Sequence, residues 1–422
     1  MLLSIPSKIL TSVLLNRINS TIDSLVRKQQ AGFRPNRSCI DQICTLRIIV
    51  EQMNEWQSPL HMSFIDFRTA FDSVHRSSIW NVLTKANVPE EIINMIKAHY
   101  DGFKCRVLHN GRLSEPFATN AGVRQGCLLS PLLFLMVIDE VLNSAIKDSK
   151  RGVPWNFTDH LEDLDYADDI CLLSSRHKDM QEKLDRLEVE ARRHGLAVNS
   201  SKTKCMQLNA TNTQQFHIEG VPIETVASFP YLGSIIATDG GAKADVESRL
   251  KKAAASYAQL RNIWSSTILS QNTKVRIFKA VVLSVLLYGC ETWLVTEELT
   301  SRLQVFVGRC LRRILRYWWP NTISNYDLMQ RCSLQPIASM IATRKWGWIG
   351  HTLRKHPQEI CKQALDWNPQ GNRKRGRPKT TWKRTVEKEI GSQNKSWSEV
   401  KALAENRVRF KHFTEALCSL WS

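Results

Sequence analysis

His160-Leu161-Glu162-Asp163-Leu164-Asp165-Tyr166-Ala167-Asp168-Asp169-Ile170-Cys171-Leu172-Leu173 places two adjacent carboxylates between two runs rich in apolar residues. The pattern predicts two short strands joined at Ala167-Asp168-Asp169, a β-hairpin whose turn is packed with negative charge. Adjacent carboxylates repel unless a cation lies between them. Hard oxygen ligands suit Mg²⁺, which keeps waters and substrate phosphates in its shell. An ordinary acidic turn has the same residues, so this stretch alone leaves the chemistry open.

Upstream, His61-Met62-Ser63-Phe64-Ile65-Asp66-Phe67-Arg68-Thr69-Ala70-Phe71-Asp72 reads as a buried strand over residues 61–67 that carries Asp66 at its end. A lone Asp there reads as a helix cap. Paired with the acidic hairpin, it is the third carboxylate of a two-metal site, in which one ion activates a hydroxyl and the other stabilises the leaving pyrophosphate.

Further segments follow in order: Gln29-Gln30-Ala31-Gly32-Phe33-Arg34-Pro35-Asn36-Arg37-Ser38, Ala121-Gly122-Val123-Arg124-Gln125-Gly126-Cys127-Leu128-Leu129-Ser130-Pro131, Gly195-Leu196-Ala197-Val198-Asn199-Ser200-Ser201-Lys202 and Tyr231-Leu232-Gly233-Ser234. With the two acidic strands, these resemble the motifs of reverse transcriptases, in the wording of non-LTR (LINE-type) retrotransposons. The resemblance implies an α/β fold, a right-hand polymerase: a palm built on an antiparallel sheet with helices, partial fingers, a helical thumb and a basic α-helical C-terminal module. It implies fingers and palm over 1–240, thumb over 241–330 and a basic, Trp-rich module over 331–422. It also implies a fingers strand and an endonuclease domain ahead of this sequence, so the chain is expected to be N-terminally incomplete.

The implied activity is RNA-directed DNA synthesis on an RNA template and DNA primer, with dNTPs as substrates and target DNA as a further partner. Asp66, Asp168 and Asp169 are then the catalytic, metal-holding residues for two Mg²⁺ ions, with Mn²⁺ as an alternative. Adjacent residues of an extended chain point to opposite sides, which makes Asp169 the weakest ligand. By the same resemblance, Phe71 lies beneath the sugar of the incoming nucleotide and leaves no room for a 2′-hydroxyl, the group that separates RNA from DNA. Gln125 and Gly126 support the nucleotide and templating base, and Gly126 permits close backbone approach. Arg34 and Arg37 are candidate grips on the triphosphate, since Arg forks onto phosphate oxygens. Lys202 is either a proton donor to pyrophosphate or a surface lysine. Asp72 and Asp165 are assigned to the local fold. The rival class is a non-enzymatic nucleic-acid-binding remnant, which would not need three intact carboxylates.

The bulk properties agree with a polyanion partner. The 422 residues hold 58 Lys and Arg against 40 Asp and Glu, a formal charge of +18, which favours salt-dependent attraction to phosphate backbones. Eleven cysteines form no Cys-x-x-Cys pair, so they read as reduced thiols of an intracellular protein, nuclear or cytoplasmic. No apolar run reaches the ~18–20 residues of a membrane span.

Along the chain, helices are predicted over 1–30, with Ile9, Val13, Leu14, Leu15 and Ile18 on one face, and over 39–56, 77–100 and 177–195. Asn110-Gly111 predicts a type I′ hairpin turn within 103–119. Three amphipathic helices are predicted over 242–265, 271–289 and 297–317, their polar faces carrying Lys251, Lys252, Arg261, Lys274, Arg276, Arg302, Arg309, Arg312 and Arg313. Ten of the thirteen tryptophans lie beyond residue 260; they are read first as core anchors, with stacking on unpaired bases as the alternative. The spacing of His351, His356 and Cys361 lacks the tight cysteine pairs of a zinc knuckle. Residues 373–384 hold seven Lys or Arg and no acid. There, Arg373, Lys374, Arg375, Arg377 and Lys379 are candidate nucleic-acid contacts, and Arg375-Gly376-Arg377-Pro378 fits either a minor-groove hook or a nuclear-import signal. An amphipathic helix is predicted over 381–420.

Overall fold

The computed structural model describes residues 4–102, 104–146, 150–211, 213–369, 373, 376 and 379–419. These fall into two compact units, residues 1–42 with 58–227, and residues 43–57 with 228–422.

The first unit is built on one sheet. Its strands are β1 (Leu60–Ile65), β2 (Asp163–Tyr166), β3 (Asp169–Ser174), β4 (Lys204–Leu208) and β5 (Glu224–Thr225), in the spatial order β5-β4-β1-β3-β2. All pairs are antiparallel except β4 with β5. Every residue of β1 is buried, His61 and Ser63 included, because this central strand is flanked by β3 and β4 and covered by helices. The register sets Ile65 opposite Ile170 and Phe64 opposite Lys204.

Helices cover this sheet. Ser130–Ile146 is apolar over most of its surface and lies in the core, with a narrow polar stripe of Asp139, Glu140, Asn143 and Ser144 toward its C-terminal end. His177–Arg193 packs between it and β1 and β3, burying Met180, Leu184, Leu187 and Ala191. The first helix, Ile5–Leu25, buries Leu14 and Ile18 of the predicted face, with Thr11 and Ile22 beside them, while Ile9 and Val13 of that face are 61% and 46% exposed. The i, i+4 row through Leu14, Ile18 and Ile22 continues to the end of the helix, and the row through Ile9 and Val13 does not.

The helix predicted over 77–100 is two, Arg76–Lys85 and Glu90–Tyr100. Pro89 drives Val88 out of the helical region, and Asn87 turns the chain with φ 53°. The Asn110-Gly111 hairpin forms as predicted, with Leu108 opposite Leu113 and φ of 47° and 77° at its two turn residues.

The second unit is mostly helical. A hairpin, Ser228–Tyr231 with Ser234–Ala237, turns at Leu232 and Gly233, both at positive φ. Its helices include Lys243–Gln259, Gln271–Ile277, Glu297–Leu315 and Ile337–Leu353. Phe278–Leu283 is π-helical. The helix predicted over 381–420 is three: Trp382–Gly391, Trp397–Glu405 and Arg407–Ser419. Asp245 anchors the unit: its carboxylate accepts from Arg47 at 2.9 Å, Trp293 Nε1 at 2.8 Å, the Ile235 N–H at 3.0 Å, and the Ser234 hydroxyl. Lys274, read as part of a polar face, is buried instead and donates to the Trp264 carbonyl at 3.0 Å and the Ser266 carbonyl at 2.5 Å.

Candidate active site

β2 and β3 form the predicted acidic hairpin. Tyr166 pairs with Asp169, so Ala167 and Asp168 are its two loop residues. Ala167 holds φ 58°, a region that favours glycine and costs an alanine about 1 kcal/mol, so something must hold it there. Gln30 does. Its buried amide oxygen accepts from the N–H of Ala167 and of Gly32, each at 2.8 Å, and its amide nitrogen donates to the Ala167 carbonyl at 3.2 Å. Gly32 lies so close that a Cβ on it would stand 2.2 Å from the Ala167 nitrogen. The segment also runs along β2: Ala31 N–H donates to Asp165 O at 2.9 Å, and Asp165 N–H to Gln29 O at 3.2 Å.

Asp66 leaves the end of β1. Since Ile65 faces Ile170, Asp66 emerges beside Asp169, and Asp168 caps the same end of the sheet. The Asp66 backbone is fixed on its other side by Asn199 N–H at 2.7 Å and Thr203 Oγ1 at 3.2 Å. One of its carboxylate oxygens, Oδ2, is inaccessible and accepts no hydrogen bond. The electrostatics record the proximity of the three acids. Burial pushes Asp168 above its ordinary range, with the charge of Asp66 adding to it. Asp169, open to solvent along one edge, is held up at about 6 by partial desolvation, then by Asp168 and Asp66. Mutual repulsion of this kind is what a bound cation relieves.

Beneath the hairpin, Arg27 reaches Asp139 at 2.9 Å, Asp163 at 2.6 Å and Asp165 at 2.9 Å. Asp163 and Asp165 are fully buried. Burial opposes charge on both, but Arg27 overrides it at Asp163, whose carboxyl is held low. Asp165 is pushed well up by burial and then by Asp163.

Phe71 is half-buried and stacks on Phe134 with ring centroids 4.3 Å apart. The loop of Gln125 and Gly126 lies along it: Val123 N–H donates to Phe71 O and Gly122 N–H to Val74 O, both at 2.8 Å, and Gln125 Nε2 reaches Asp72 at 3.1 Å. Gly126 holds φ 87°. Lys202 is exposed, with Nζ 4.0 Å from Asp66 Oδ2.

Arg34 is placed differently from its expected grip on triphosphate. Its guanidinium is 7% exposed and donates to Asp23 Oδ1 at 2.6 Å, Asp23 O at 2.7 Å, Arg27 O at 2.7 Å and Gln30 O at 3.0 Å. Those donors are spent on the fold of its own segment. Arg37 donates to Lys28 O at 2.9 Å. In the second unit, Arg373 and Arg384 both pair with Glu55, and the Lys379 carbonyl accepts from Arg384. Lys374, Arg375 and Arg377 lie outside the described residues. Sequence alone points to the arginines of the 29–38 segment and not to Gln30 and Gly32 within it or Arg27 just before it, whose partners lie more than a hundred residues away.

The sheet, with acids at adjoining strand ends and a clamped turn carrying one of them, has the arrangement of a polymerase palm. A family model described as reverse transcriptase (RNA-dependent DNA polymerase) matches residues 1–236, and the chain belongs to that family. A domain of unknown function matches residues 256–288. Among curated proteins, the chain is 25% identical over 340 residues to the probable RNA-directed DNA polymerase from transposon X-element of Drosophila melanogaster, covering 76% of this chain and 36% of that protein. It is 24% identical over 390 residues to the probable RNA-directed DNA polymerase from transposon BS of the same organism, covering 87% of this chain and 41% of that one. The chain thus spans less than half the length of these relatives. Among solved structures, telomerase from Candida tropicalis with a fragment of telomeric RNA matches at TM-score 0.43 and 15% identity, over 84% of this chain and 56% of that one. The reading of the motifs as those of a non-LTR retrotransposon reverse transcriptase stands. Among the described residues no helix is long and apolar enough to cross a membrane.

Proposed function

We propose that this chain is an RNA-directed DNA polymerase that extends a DNA primer on an RNA template with dNTPs, and that Asp66, Asp168 and Asp169 carry its chemistry. The observation that supports this most directly is the meeting of Asp66 with the Asp168-Asp169 turn, with one Asp66 oxygen buried and unsatisfied. Among the described residues no three His, Cys, Asp or Glu side chains form a cage for a metal by themselves. Mg²⁺ in polymerase sites takes only one or two carboxylates and fills its shell with water and substrate phosphate, and this donor set fits that habit. Two Mg²⁺ ions, or Mn²⁺, would be held by Asp66 and Asp168 with Asp169 beside them. When bound they would lower the pKa of a primer hydroxyl and neutralise charge on the leaving pyrophosphate.

The chain's own residues position the reactants. Gln30 holds the turn that presents Asp168. The Gln125-Gly126 loop and Phe71 form a surface for base and sugar, and Phe71 excludes a 2′-hydroxyl. Lys202, with Nζ 4.0 Å from Asp66 Oδ2, would serve as the proton donor to pyrophosphate. Arg37 is kept as a triphosphate contact; Arg34 is not. Residues 241–330 serve as thumb, and residues 331–422, with the cations of the 373–379 loop, as a basic module for target DNA.

Primer extension on an RNA template with Mg²⁺ tests this. Asp66→Asn or Asp168→Asn should reduce extension by orders of magnitude and leave duplex binding intact. Extension at the parent rate by either variant overturns the assignment.

A further inference from the structure

The helix Glu297–Leu315 buries Leu299, Leu303, Val307, Cys310, Leu311 and Ile314. Its outer face carries a different row. Arg302, Val305, Arg309 and Arg313 recur at steps of three and four, one stripe of a helix, and Arg316 closes it in a left-handed cap at φ 61°. Arg309, Arg313 and Arg316 are exposed, and among the described residues none of them forms an ion pair with a carboxylate. By contrast, Arg302 pairs with Glu247 at 3.2 Å, and Arg312 turns to Asn325 at 2.7 Å. From Ser301 to Tyr326 the chain holds five arginines and no Asp or Glu.

The stripe runs into Trp318 and Trp319, which are 60% and 88% exposed. Six other tryptophans of this unit, Trp264, Trp293, Trp346, Trp348, Trp367 and Trp382, are buried and serve as core anchors. Single exposed apolar residues need no explanation. Two adjacent exposed indoles beside three arginines without a carboxylate partner among the described residues, of which Arg316 donates to the Ser265 carbonyl at 3.4 Å, do, because the two features are complementary to one kind of ligand. An indole face stacks on any unpaired base, and three arginines spread over about 10 Å of helix can track the phosphates that join such bases.

We propose that Trp318 and Trp319, with Arg309, Arg313 and Arg316, form a stacking platform for an unpaired RNA strand. A duplex hides its base faces, so this surface is distinct from a basic helix face that follows paired strands. The choice of RNA over DNA rests on the RNA-copying function proposed above; the stacking chemistry does not.

The test is fluorescence anisotropy with the full chain in metal-free buffer, using a labelled unpaired oligoribonucleotide and a blunt RNA–DNA duplex of the same length. Trp318→Ala and Trp319→Ala should each weaken binding of the unpaired RNA about tenfold, leave the blunt duplex unaffected and leave the salt slope unchanged. Trp319→Phe should restore most of the affinity, which a folding defect would not allow. Arg309→Gln with Arg313→Gln should instead flatten the single-strand salt slope by about 1.4, at ~0.7 per phosphate contact. Parent-like RNA binding by both Trp variants, or an equal loss on the duplex, overturns the platform. Tighter binding of unpaired DNA of the same sequence overturns RNA as its occupant. Trp-dependent RNA binding in a chain that extends no primer would keep the platform and refute the polymerase reading instead.

Discussion

Replacing Gln30 by Ala should undo the clamp on the acidic turn. The side chain is fully buried and makes three hydrogen bonds to the backbone of Ala167 and Gly32. Its removal leaves two N–H groups and one carbonyl without those partners. Each such buried group costs about 1–3 kcal/mol. Allowing for water entering the space left behind, the expected loss of stability is about 3–6 kcal/mol. Ala167, at φ 58°, would then be free to relax, and Asp168 with it. Urea unfolding gives the stability change, and amide exchange at Ala167 reports the clamp itself. Activity at saturating Mg²⁺ should fall through kcat more than through KM, because the carboxylate is misplaced and the nucleotide surface is not. Gln30→Glu keeps the acceptor but must be protonated to donate to the Ala167 carbonyl. Its folded-state pKa is then raised, so the stability it retains is present at low pH and lost as pH rises. A Gln30→Ala protein that unfolds within about 1 kcal/mol of the parent with its Ala167 amide still protected would rule out the clamp.

Phe71→Val should raise ribonucleotide incorporation relative to deoxynucleotide, because the ring that rests on Phe134 would no longer fill the space; an unchanged ratio in single-nucleotide extension returns Phe71 to plain packing. Glu51 accepts from the Trp382 N–H at 2.9 Å, and burial lifts its carboxyl from 4.5 to about 7. The folded pKa is the higher one, so its stabilising contribution is complete below about pH 4.5 and lost as pH rises through 7. Glu51→Gln should therefore raise stability at pH 8 by about 3 kcal/mol and change little at pH 4.5, as read by thermal melts; a gain equal at both pH values counts against it. If three or four of these cations touch phosphate, neutralising Arg373, Lys374, Arg375, Arg377 and Lys379 to Gln should flatten the salt slope for duplex DNA by about three units, at ~0.9 per contact, with extension at saturating template-primer retained. A larger loss on A·T-rich duplex would mark minor-groove entry, and an unchanged slope would remove the loop from DNA binding.

The local chemistry of turns and strands was open to sequence reasoning. Apolar runs flanking Asp168-Asp169 announced the hairpin, and Asn110-Gly111 announced another, because both are decided within a few residues. The break between Lys85 and Glu90 was also local, and Pro89 should have shown it. Partnerships across long separations were a different matter. Gln30 meets Ala167, and Arg27 gathers Asp139, Asp163 and Asp165, but nothing in either segment alone names its partner. Arg34 illustrates the cost: an arginine beside a motif reads as a phosphate ligand until the carbonyls that occupy it are visible. Lys274 and the tryptophans divide in the same way. Whether such a side chain faces core or water is set by neighbours that arrive from other helices.

The Arg27 cluster bears on turnover. Two buried acids precede the acidic turn on β2; Arg27 holds the Asp163 carboxyl low, and Asp165 is driven toward its protonated form. Asp139, the third acid on Arg27, is also pushed up by burial, so the floor behind the turn carries little net negative charge. A floor with two full negative charges would bind cations tightly whether or not substrate was present, and would hold them after each addition. With little charge there, the Mg²⁺ ions of the proposed polymerase site would depend on an incoming triphosphate for strong binding and would be released more readily with pyrophosphate.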